Sequence, residues 1–277
     1  MTRTYEIEEH LFYQTIGKQI KMKQHIISGK KCVICNDDNS VTYVRKLIGH
    51  RTGNLIDLFF CTKCESFSNP SGYVESKEQL RKDLAWSIGV TDRNITYLSK
   101  LMKLIKKTTK NHTFKRVLEV GCSHGIALNE LRDNYGCEVY GYDLNDVAIN
   151  YGKEAYGLKN LYSQFWDSKI ELPKIDLMLC ISVMEHIENP RPLFIELTKA
   201  AKKHDSFLFI SIPFVDREDW YHLLSVDTIK KKNPFRAADV HITFFSAIGF
   251  KMLADECGVK SIQEMTAGGW RGFLMKF

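Results

Sequence analysis

The chain has 277 residues, of which 44% are hydrophobic and 26% are charged, and its formal net charge is +6. This length suits one large domain or a medium domain beside a small one, and the composition is that of a globular chain. The longest apolar run, residues 177–184, is far too short to span a bilayer, and the first residues form no apolar signal region. We therefore expect a cytoplasmic protein without a membrane partner.

Isoleucine and leucine recur at roughly helical spacing through residues 4–28, which predicts an N-terminal helix within residues 1–30. Ser28 and Gly29 end the run, as is typical near a helix C-terminus. The composition then changes, and cysteines follow in pairs.

Two Cys-x-x-Cys pairs predict a metal site, and their members are Cys32, Cys35, Cys61 and Cys64. Each pair presents two thiolates on one turn, and two such turns facing each other form a tetrahedral zinc site. Two strand-like runs lie between the pairs, at residues 41–48 and 54–60, which predicts a supporting hairpin. We therefore predict a zinc ribbon over residues 31–72. Four protein ligands close the site, so the zinc is structural.

Residues 73–112 follow the ribbon and predict two helices, near 76–88 and 92–109. The segment lacks the Gly and Ser enrichment of a flexible linker and contains several leucines and Trp86. We expect this helical connector to pack the ribbon against the main domain. Lysines cluster in it and again near the end of the chain, at Lys103, Lys106, Lys107, Lys110, Lys230, Lys231 and Lys232. Solvated helix faces are the simpler interpretation, and a patch for an anionic substrate is the alternative.

Strands and helices alternate through residues 113–277, which predicts an α/β domain with a doubly wound, mostly parallel sheet. The expected elements, in chain order, are strand 115–120, helix 124–133, strand 137–142, helix 146–156, strand 160–163, strand 175–181, helix 190–203, strand 206–212, helix 246–257, strand 259–266 and strand 270–276. The last two strands could form a hairpin, which would make the final strand antiparallel.

A glycine turn after the first of these strands predicts a nucleotide site. Gly121 and Gly125 allow the backbone to turn sharply and to approach a ligand closely, and the next helix points its free N–H groups at it. A dinucleotide fingerprint would need glycines at positions 123 and 126, where Ser123 and Ile126 stand, so NAD and FAD are disfavoured. Asp143, which ends the second strand, could accept hydrogen bonds from both hydroxyls of a ribose.

These segments resemble the class I S-adenosylmethionine-dependent methyltransferases, and the residues that carry the resemblance are 117–125, 139–143, 175–179 and 184–190. The resemblance implies a Rossmann-like domain with a seven-stranded sheet. It implies that Glu119 and the backbone of Gly121–Gly125 hold the methionine part of the cofactor, and that Asp143 holds the ribose. The complete set of cofactor-binding residues that it implies is Glu119, Gly121, Cys122, Ser123, Gly125, Asp143, Leu144, Trp166, Asp167 and Ile181.

The front half resembles the zinc-ribbon leader of bacterial methyltransferases that act on sugars and other small molecules. Residues 61–70 carry this likeness, together with a late His-x-x-x-Phe-Ser element at residues 241–246. The resemblance implies O-methylation of a sugar or nucleotide-sugar, in surface-glycan (polysaccharide) or small-molecule biosynthesis.

Methyl transfer to a hydroxyl needs a group that takes the hydroxyl proton near neutral pH, and histidine is the natural choice. His186 and His241 both follow strands at the carboxyl edge of the sheet, where ligands bind. A loop-fixing role is the alternative for His186, and anchoring of a lid is the alternative for His241. In a second mechanism, Glu185 and both histidines hold Mg²⁺ or another divalent ion that acidifies a diol.

The aromatic and charged segment 213–222 follows a strand that ends at the same edge, where loops commonly select the substrate. Our candidates for the acceptor site are Asp216, Arg217, Trp220 and Tyr221, and a plain surface lid is the alternative. Two other functions stay open: an rRNA or tRNA methyltransferase whose ribbon grips RNA, and a non-catalytic cofactor-binding protein. The mixed charges of the ribbon disfavour RNA. The acidic pair and glycine turn disfavour the non-catalytic alternative.

Overall fold

The computed structural model describes residues 30–48, 53–69, 77–216, 219 and 240–277. The predicted N-terminal helix lies outside these residues, apart from residue 30 itself. Among the helices that are described, none combines the length and the apolar character needed to cross a bilayer.

The cysteine pairs flank an antiparallel hairpin, as the sequence predicts. Its strands are β1 (Val41–Ile48) and β2 (Leu55–Cys61), and a short third strand, β3 (Phe67–Ser68), pairs with β2. A fourth strand, β9 (Thr243–Phe244), comes from far along the chain and pairs with β3. The strand order is β1-β2-β3-β9, so the ribbon sheet is completed by the C-terminal half of the chain.

Two helices follow, α1 (Lys77–Gly89) and α2 (Thr91–Thr108), close to the predicted bounds. The second of them packs against the main domain, and the expected contact of these helices with the ribbon stays a prediction. The apolar stripe of α2 is buried in a cluster of main-domain residues that contains no ribbon residue within the described part of the chain; its members are Leu98, Leu101, Met102 and Ile105. Spacing of this kind shows that a helix face is buried, but not which neighbour buries it.

The main domain contains a seven-stranded, mostly parallel sheet, which confirms the predicted fold class. Its elements in chain order are β4 (Arg116–Val120), α3 (Ile126–Tyr135), β5 (Glu138–Asp143), α4 (Asp146–Tyr156), β6 (Leu161–Ser163), β7 (Leu177–Ile181), α5 (Arg191–His204), β8 (Phe207–Ser211), α6 (Ala247–Glu256), β10 (Ser261–Ala267) and β11 (Trp270–Lys276). The strand order is β10-β11-β8-β7-β4-β5-β6. The final hairpin is present: β11 runs antiparallel to both β10 and β8.

The central strand β4 is buried on both faces because its side chains alternate between two apolar clusters. Leu118 and Val120 belong to one cluster and Val117 to the other. β4 pairs in parallel with β5 on one side and with β7 on the other. The connection from β4 leads to β5 on one side, and the connection from β7 leads to β8 on the other. The crevice at the carboxyl ends of two such neighbouring strands is where α/β sheets bind ligands.

Candidate active site

A cavity of about 1250 Å³ opens at the carboxyl edge of the sheet. Its walls come from the ends of β4, β5, β7 and β8, from the glycine loop, and from α1 and α2. Pockets for one ligand usually measure about 300–1,000 Å³, so this cavity has the size for a cofactor and a second molecule together.

The glycine loop forms one wall, and its backbone demands glycine. Gly121 has φ +79° and Gly125 has φ +73°, both in the left-handed region. A Cβ at Gly121 would overlap the side chain of Val183. Ser123 also has a positive φ, of 49°, and its N–H donates to Asp143 Oδ2 at 2.7 Å, which holds the strained conformation in place.

Two acidic side chains lie beside this loop. Asp143 accepts the N–H of Ser123 on Oδ2 and the N–H of Asn145 on Oδ1, at 2.7 and 2.8 Å. A carboxylate has about four acceptor positions, so two remain for a ligand. Burial raises the pKa of Asp143, although these backbone hydrogen bonds act in the opposite direction. Glu119 is only 5% exposed, and burial together with the Asp143 charge raises the pKa of Glu119 to about 8.

Glu119 Oε2 has no hydrogen-bond partner within the described residues. A buried polar atom without a partner is costly and is usually satisfied by a ligand or water. Trp166 Nε1 is in the same situation, and this side chain is 3% exposed. The structure therefore places an acceptor and a donor in need of partners along one cavity.

The remaining residues predicted to bind the cofactor divide into two groups. Cys122, Leu144 and Ile181 line the cavity. Asp167 is not among its lining residues, and its Oδ1 instead accepts the N–H of Lys169 at 2.8 Å. Gly125 does not line the cavity; it shapes the loop, since its left-handed φ lies at the N-cap of α3.

The predicted catalytic groups come together at another part of the cavity wall. A single 3₁₀ turn, Met184–His186, follows β7, and the imidazole rings of His186 and His241 lie 4.9 Å apart between centroids. His186 Nδ1 is 2.9 Å from the carbonyl oxygen of Val240. A carbonyl only accepts, so Nδ1 bears the hydrogen and Nε2 of the neutral ring bears the lone pair.

Glu185 lies beneath these histidines. Its Oε1 is 3.9 Å from His186 Nε2, and the side chain is 2% exposed. Burial raises the pKa of Glu185 to about 8, although its own backbone N–H and the Ser182 hydroxyl favour the ionised form. Candidate ligand atoms of Glu185, His186 and His241 all lie within 4.8 Å of one another.

The structure describes one of the four predicted acceptor residues. Asp216 lines the cavity, but both of its carboxylate oxygens accept hydrogen bonds from Arg271 Nη1 at 2.7 Å. Arg271 also pairs with Glu264 and lies over the ring of Phe214. Asp216 therefore ties the loop after β8 to the final hairpin. The other three candidates, Arg217, Trp220 and Tyr221, lie outside the described residues.

Three residues of α1 and α2 were not predicted as site residues. Trp86 is 60% exposed at the cavity wall, and the Arg93 guanidinium lies 5.6 Å from its ring centroid, within cation–π range. Ser87 Oγ lies 3.2 Å from Nδ1 of the fully buried His124 in the glycine loop, where burial lowers the pKa of His124. No local motif marks these residues, because helix packing brings them to the cavity.

The four cysteines of the Cys-x-x-Cys pairs form a compact cluster that does not line this cavity. Sγ–Sγ distances are 3.5 Å for Cys32 and Cys64 and 3.6 Å for Cys35 and Cys61, and all four sulfurs lie within 4.8 Å of one another. A tetrahedral zinc ion with bonds of about 2.3 Å places its sulfurs about 3.8 Å apart, whereas a disulfide needs about 2.05 Å. The donor set and spacing therefore fit zinc.

The four thiols are coupled through hydrogen bonds between their sulfurs. Contacts with Cys61 and Cys64 lower the pKa of Cys32, and contacts with Cys32 and Cys61 raise the pKa of Cys64. One thiolate is stabilised by protonated neighbours, and four thiolates together need a divalent ion.

A family model described as "Methyltransferase domain" matches residues 90–264. The chain belongs to this methyltransferase family. The match covers the glycine loop, Glu119, Asp143, His186 and His241, so these features lie within the methyltransferase domain. A comparison with curated proteins gave no significant match.

Solved structures share the fold of this methyltransferase. Human N-acetylserotonin methyltransferase, solved in complex with SAM, aligns with a TM-score of 0.53 at 14% identity over 73% of this chain and 56% of its own. The plantazolicin methyltransferase BpumL, solved with a pentazolic desmethylPZN analog and SAH, aligns with a TM-score of 0.51 at 16% identity over 72% of this chain and 90% of its own. The chain thus spans little more than half of the human enzyme. At identities this low, the alignments show a common Rossmann-like fold and nothing further.

Proposed function

We propose that the methyltransferase binds S-adenosylmethionine in the half of the cavity formed by the glycine loop. The observation that supports this most is the buried Glu119 carboxyl, whose Oε2 lacks a partner within the described ranges, beside an Asp143 with two acceptor positions left. A ligand with both a cationic amino acid group and a ribose diol satisfies the two together. The Gly121–Gly125 backbone admits it closely, and Trp166 Nε1 offers a donor.

The bound cofactor supplies a methyl group on a positively charged sulfur. The protein's own task is to hold an acceptor hydroxyl in line and to take its proton. His186 fits the second role, since the Val240 carbonyl fixes its Nδ1–H and leaves the Nε2 lone pair as the proton acceptor. Glu185 Oε1, 3.9 Å from that nitrogen, stabilises the imidazolium once the carboxyl is ionised. His241, whose ring centroid lies 4.9 Å from that of His186, orients the acceptor.

A divalent ion held by Glu185, His186 and His241 is the second candidate mechanism, and the close approach of their ligand atoms favours it. Two imidazoles and one carboxylate are not the all-oxygen set that Mg²⁺ prefers, so Mg²⁺ lacks support, and a borderline transition-metal ion suits the donors better. Metal analysis of the purified enzyme distinguishes the mechanisms. One zinc per chain, unchanged in His241→Ala, supports the proton-accepting histidine. A second ion that disappears in His241→Ala supports the metal.

We further propose that the acceptor is a sugar joined to a nucleotide. Support comes from the size of the cavity and from the pairing of Trp86 with Arg93 on its wall. A planar base can stack on an exposed indole, and a diphosphate pairs well with a guanidinium. Within the described ranges no ion pair involves Arg93. Such acceptors belong to glycan or small-molecule biosynthesis in the cytoplasm, a compartment that suits eight cysteines that form no disulfide in the described part of the chain.

Labelled methyl transfer tests this proposal. The enzyme is incubated with methyl-labelled cofactor and separate pools of nucleotide-sugars, free sugars and total RNA. We expect label in a nucleotide-sugar, with loss in His186→Ala and with a raised KM in Arg93→Ala. Arg93→Lys is the matched control that keeps the charge and loses the planar fork. Label in RNA would establish the alternative function, and transfer unaffected by His186→Ala would contradict the assignment of the base.

A further inference from the structure

The ribbon and the histidine segment share one sheet. β3, which follows the second cysteine turn, lies between β2 and β9, with Phe67 opposite Phe244 and Ser68 opposite Thr243. Among the strands that the structure describes, β3 is the only one paired with β9. His241 lies just before β9, so the ribbon supports the backbone that presents this imidazole.

Ile242 connects the ribbon to the catalytic turn through its peptide groups. Its carbonyl oxygen accepts the N–H of Asn69 at 2.8 Å, and its N–H donates to the carbonyl oxygen of Glu185 at 2.8 Å. The neighbouring Thr243 hydroxyl donates to the carbonyl oxygen of Ile187, also at 2.8 Å. The 3₁₀ turn that bears Glu185 and His186 is therefore bonded to a strand that the ribbon holds.

The second cysteine turn holds the other end of this segment. Ser246 Oγ donates to the carbonyl oxygen of Cys64 at 2.5 Å, and the N–H of Ser246 donates to Ser66 Oγ at 3.1 Å. Ser246 is also the N-cap of α6, and its Oγ accepts the N–H of Gly249. A Cβ at Gly249 would overlap Ser66 Oγ, so helix and turn are in close contact. Ser66 and Ser246 are 1% and 3% exposed.

We propose that the Cys₄ ribbon is a positioning element of the catalytic centre, which sets His241 and, through Val240 and Ile242, the turn that bears His186. The cofactor half of the cavity depends on other contacts. Glu119 is the last residue but one of β4 and Asp143 ends β5; these strands pair with each other, and β4 also pairs with β7 and β5 with β6. Disturbing the ribbon should therefore displace the histidines and spare cofactor binding. This inference rests on the proposed function only in treating the two histidines as reacting groups.

Asn69→Pro and Asn69→Ala form a matched pair that tests the hydrogen bond from Asn69 to Ile242. Both variants lose the amide side chain, but only proline loses the N–H that donates to Ile242. Proline restricts the residue before it to extended conformations, and Ser68 is already in a strand. Neither substitution touches a cysteine.

Spectra of enzyme with ¹³C-labelled histidine provide the main readout, with His186→Gln and His241→Gln used to assign the two signals. In Asn69→Pro we expect both signals to shift or broaden, zinc content to stay at one per chain, and the dissociation constant for S-adenosylhomocysteine to stay within about twofold of wild type. Asn69→Ala should match wild type in all three. Removing zinc from the wild-type enzyme with a chelator, which leaves the thiol of Cys122 in the cofactor pocket unmodified, should move the same two signals. This arm keeps the test valid if Asn69→Pro does not fold.

Three results would overturn the inference: unchanged histidine signals after zinc release, equal shifts in Asn69→Ala and Asn69→Pro, or loss of S-adenosylhomocysteine binding together with zinc. Failure of the proposed function looks different. Wild-type enzyme would then bind no S-adenosylhomocysteine, while the histidine signals, which need no cofactor, would still report on the ribbon.

Discussion

Glu119 gives cofactor binding a specific pH dependence. Its buried carboxyl has a pKa raised to about 8, so the free enzyme holds it protonated at neutral pH. The cationic part of S-adenosylmethionine favours the ionised carboxylate. Binding below pH 8 must therefore release a proton, and affinity should rise as the pH rises.

The expected magnitude follows from that pKa. The first pH unit below about 8 weakens binding roughly fivefold and each further unit roughly tenfold, because the ionised fraction of the free carboxyl falls by those factors. Between about pH 8 and pH 6 the dissociation constant should rise roughly 50-fold, which corresponds to about 2 kcal/mol. Near pH 7 binding should release about 0.9 proton from this group.

Titration calorimetry in two buffers of different ionisation enthalpy measures both quantities. Glu119→Gln keeps the side-chain shape without the titrating carboxyl, so it corrects for titration of the ligand's own amino group. We expect Glu119→Gln to bind more weakly at high pH and to lose most of the pH dependence. The reasoning is refuted if wild type and Glu119→Gln show the same pH dependence, or if wild-type affinity increases towards acid pH.

Three further predictions concern the loop, the buried acid and the metal. Gly121→Ala should weaken cofactor binding more than tenfold by calorimetry, because its Cβ would overlap Val183. Gly157→Ala, at φ +64° in open space, is the control for backbone strain alone. Equal effects of the two substitutions would show that the overlap with Val183 is not the cause. Burial raises the pKa of Glu185 from 4.5 to about 8, so its contribution to stability is complete below pH 4.5 and is lost as the pH rises to 8. The melting temperature of Glu185→Gln should therefore rise relative to that of wild type between pH 4.5 and pH 8. A difference that stays constant over this range would contradict the prediction. Metal analysis should find one zinc per chain, lost in Cys61→Ser and retained in the buried-thiol control Cys137→Ser; zinc that survives Cys61→Ser would disprove the Cys₄ site.

The sequence predicted the sheet and its order of elements because each signal was local. β4, the glycine turn and the next helix occupy one stretch, and their apolar runs are buried as their pattern requires. One of the errors in bounds has a local cause as well. The helix predicted from residue 124 begins at Ile126, because Gly125 has a left-handed φ that no helix interior adopts.

Contacts between distant segments could not be predicted in this way. Nothing near Asn69 indicates that its N–H meets Ile242, and nothing near His186 indicates the Val240 carbonyl that fixes its tautomer. The ion pair between Asp216 and Arg271 is a similar case, since the sequence around a charged loop residue does not differ according to whether that residue binds substrate or a neighbouring strand. These contacts form only when the fold brings the segments together, so they have no signature in spacing or composition.

Cofactor binding by the wild-type enzyme tests the central claim most directly. Calorimetry with S-adenosylmethionine, S-adenosylhomocysteine and NAD should give one binding site per chain for the first two and no heat for NAD. Asp143→Ala should lose the binding, because the two acceptor positions left for a ribose diol disappear with the carboxylate. Wild-type enzyme that binds neither S-adenosyl compound, or Asp143→Ala that binds them unchanged, would contradict the account.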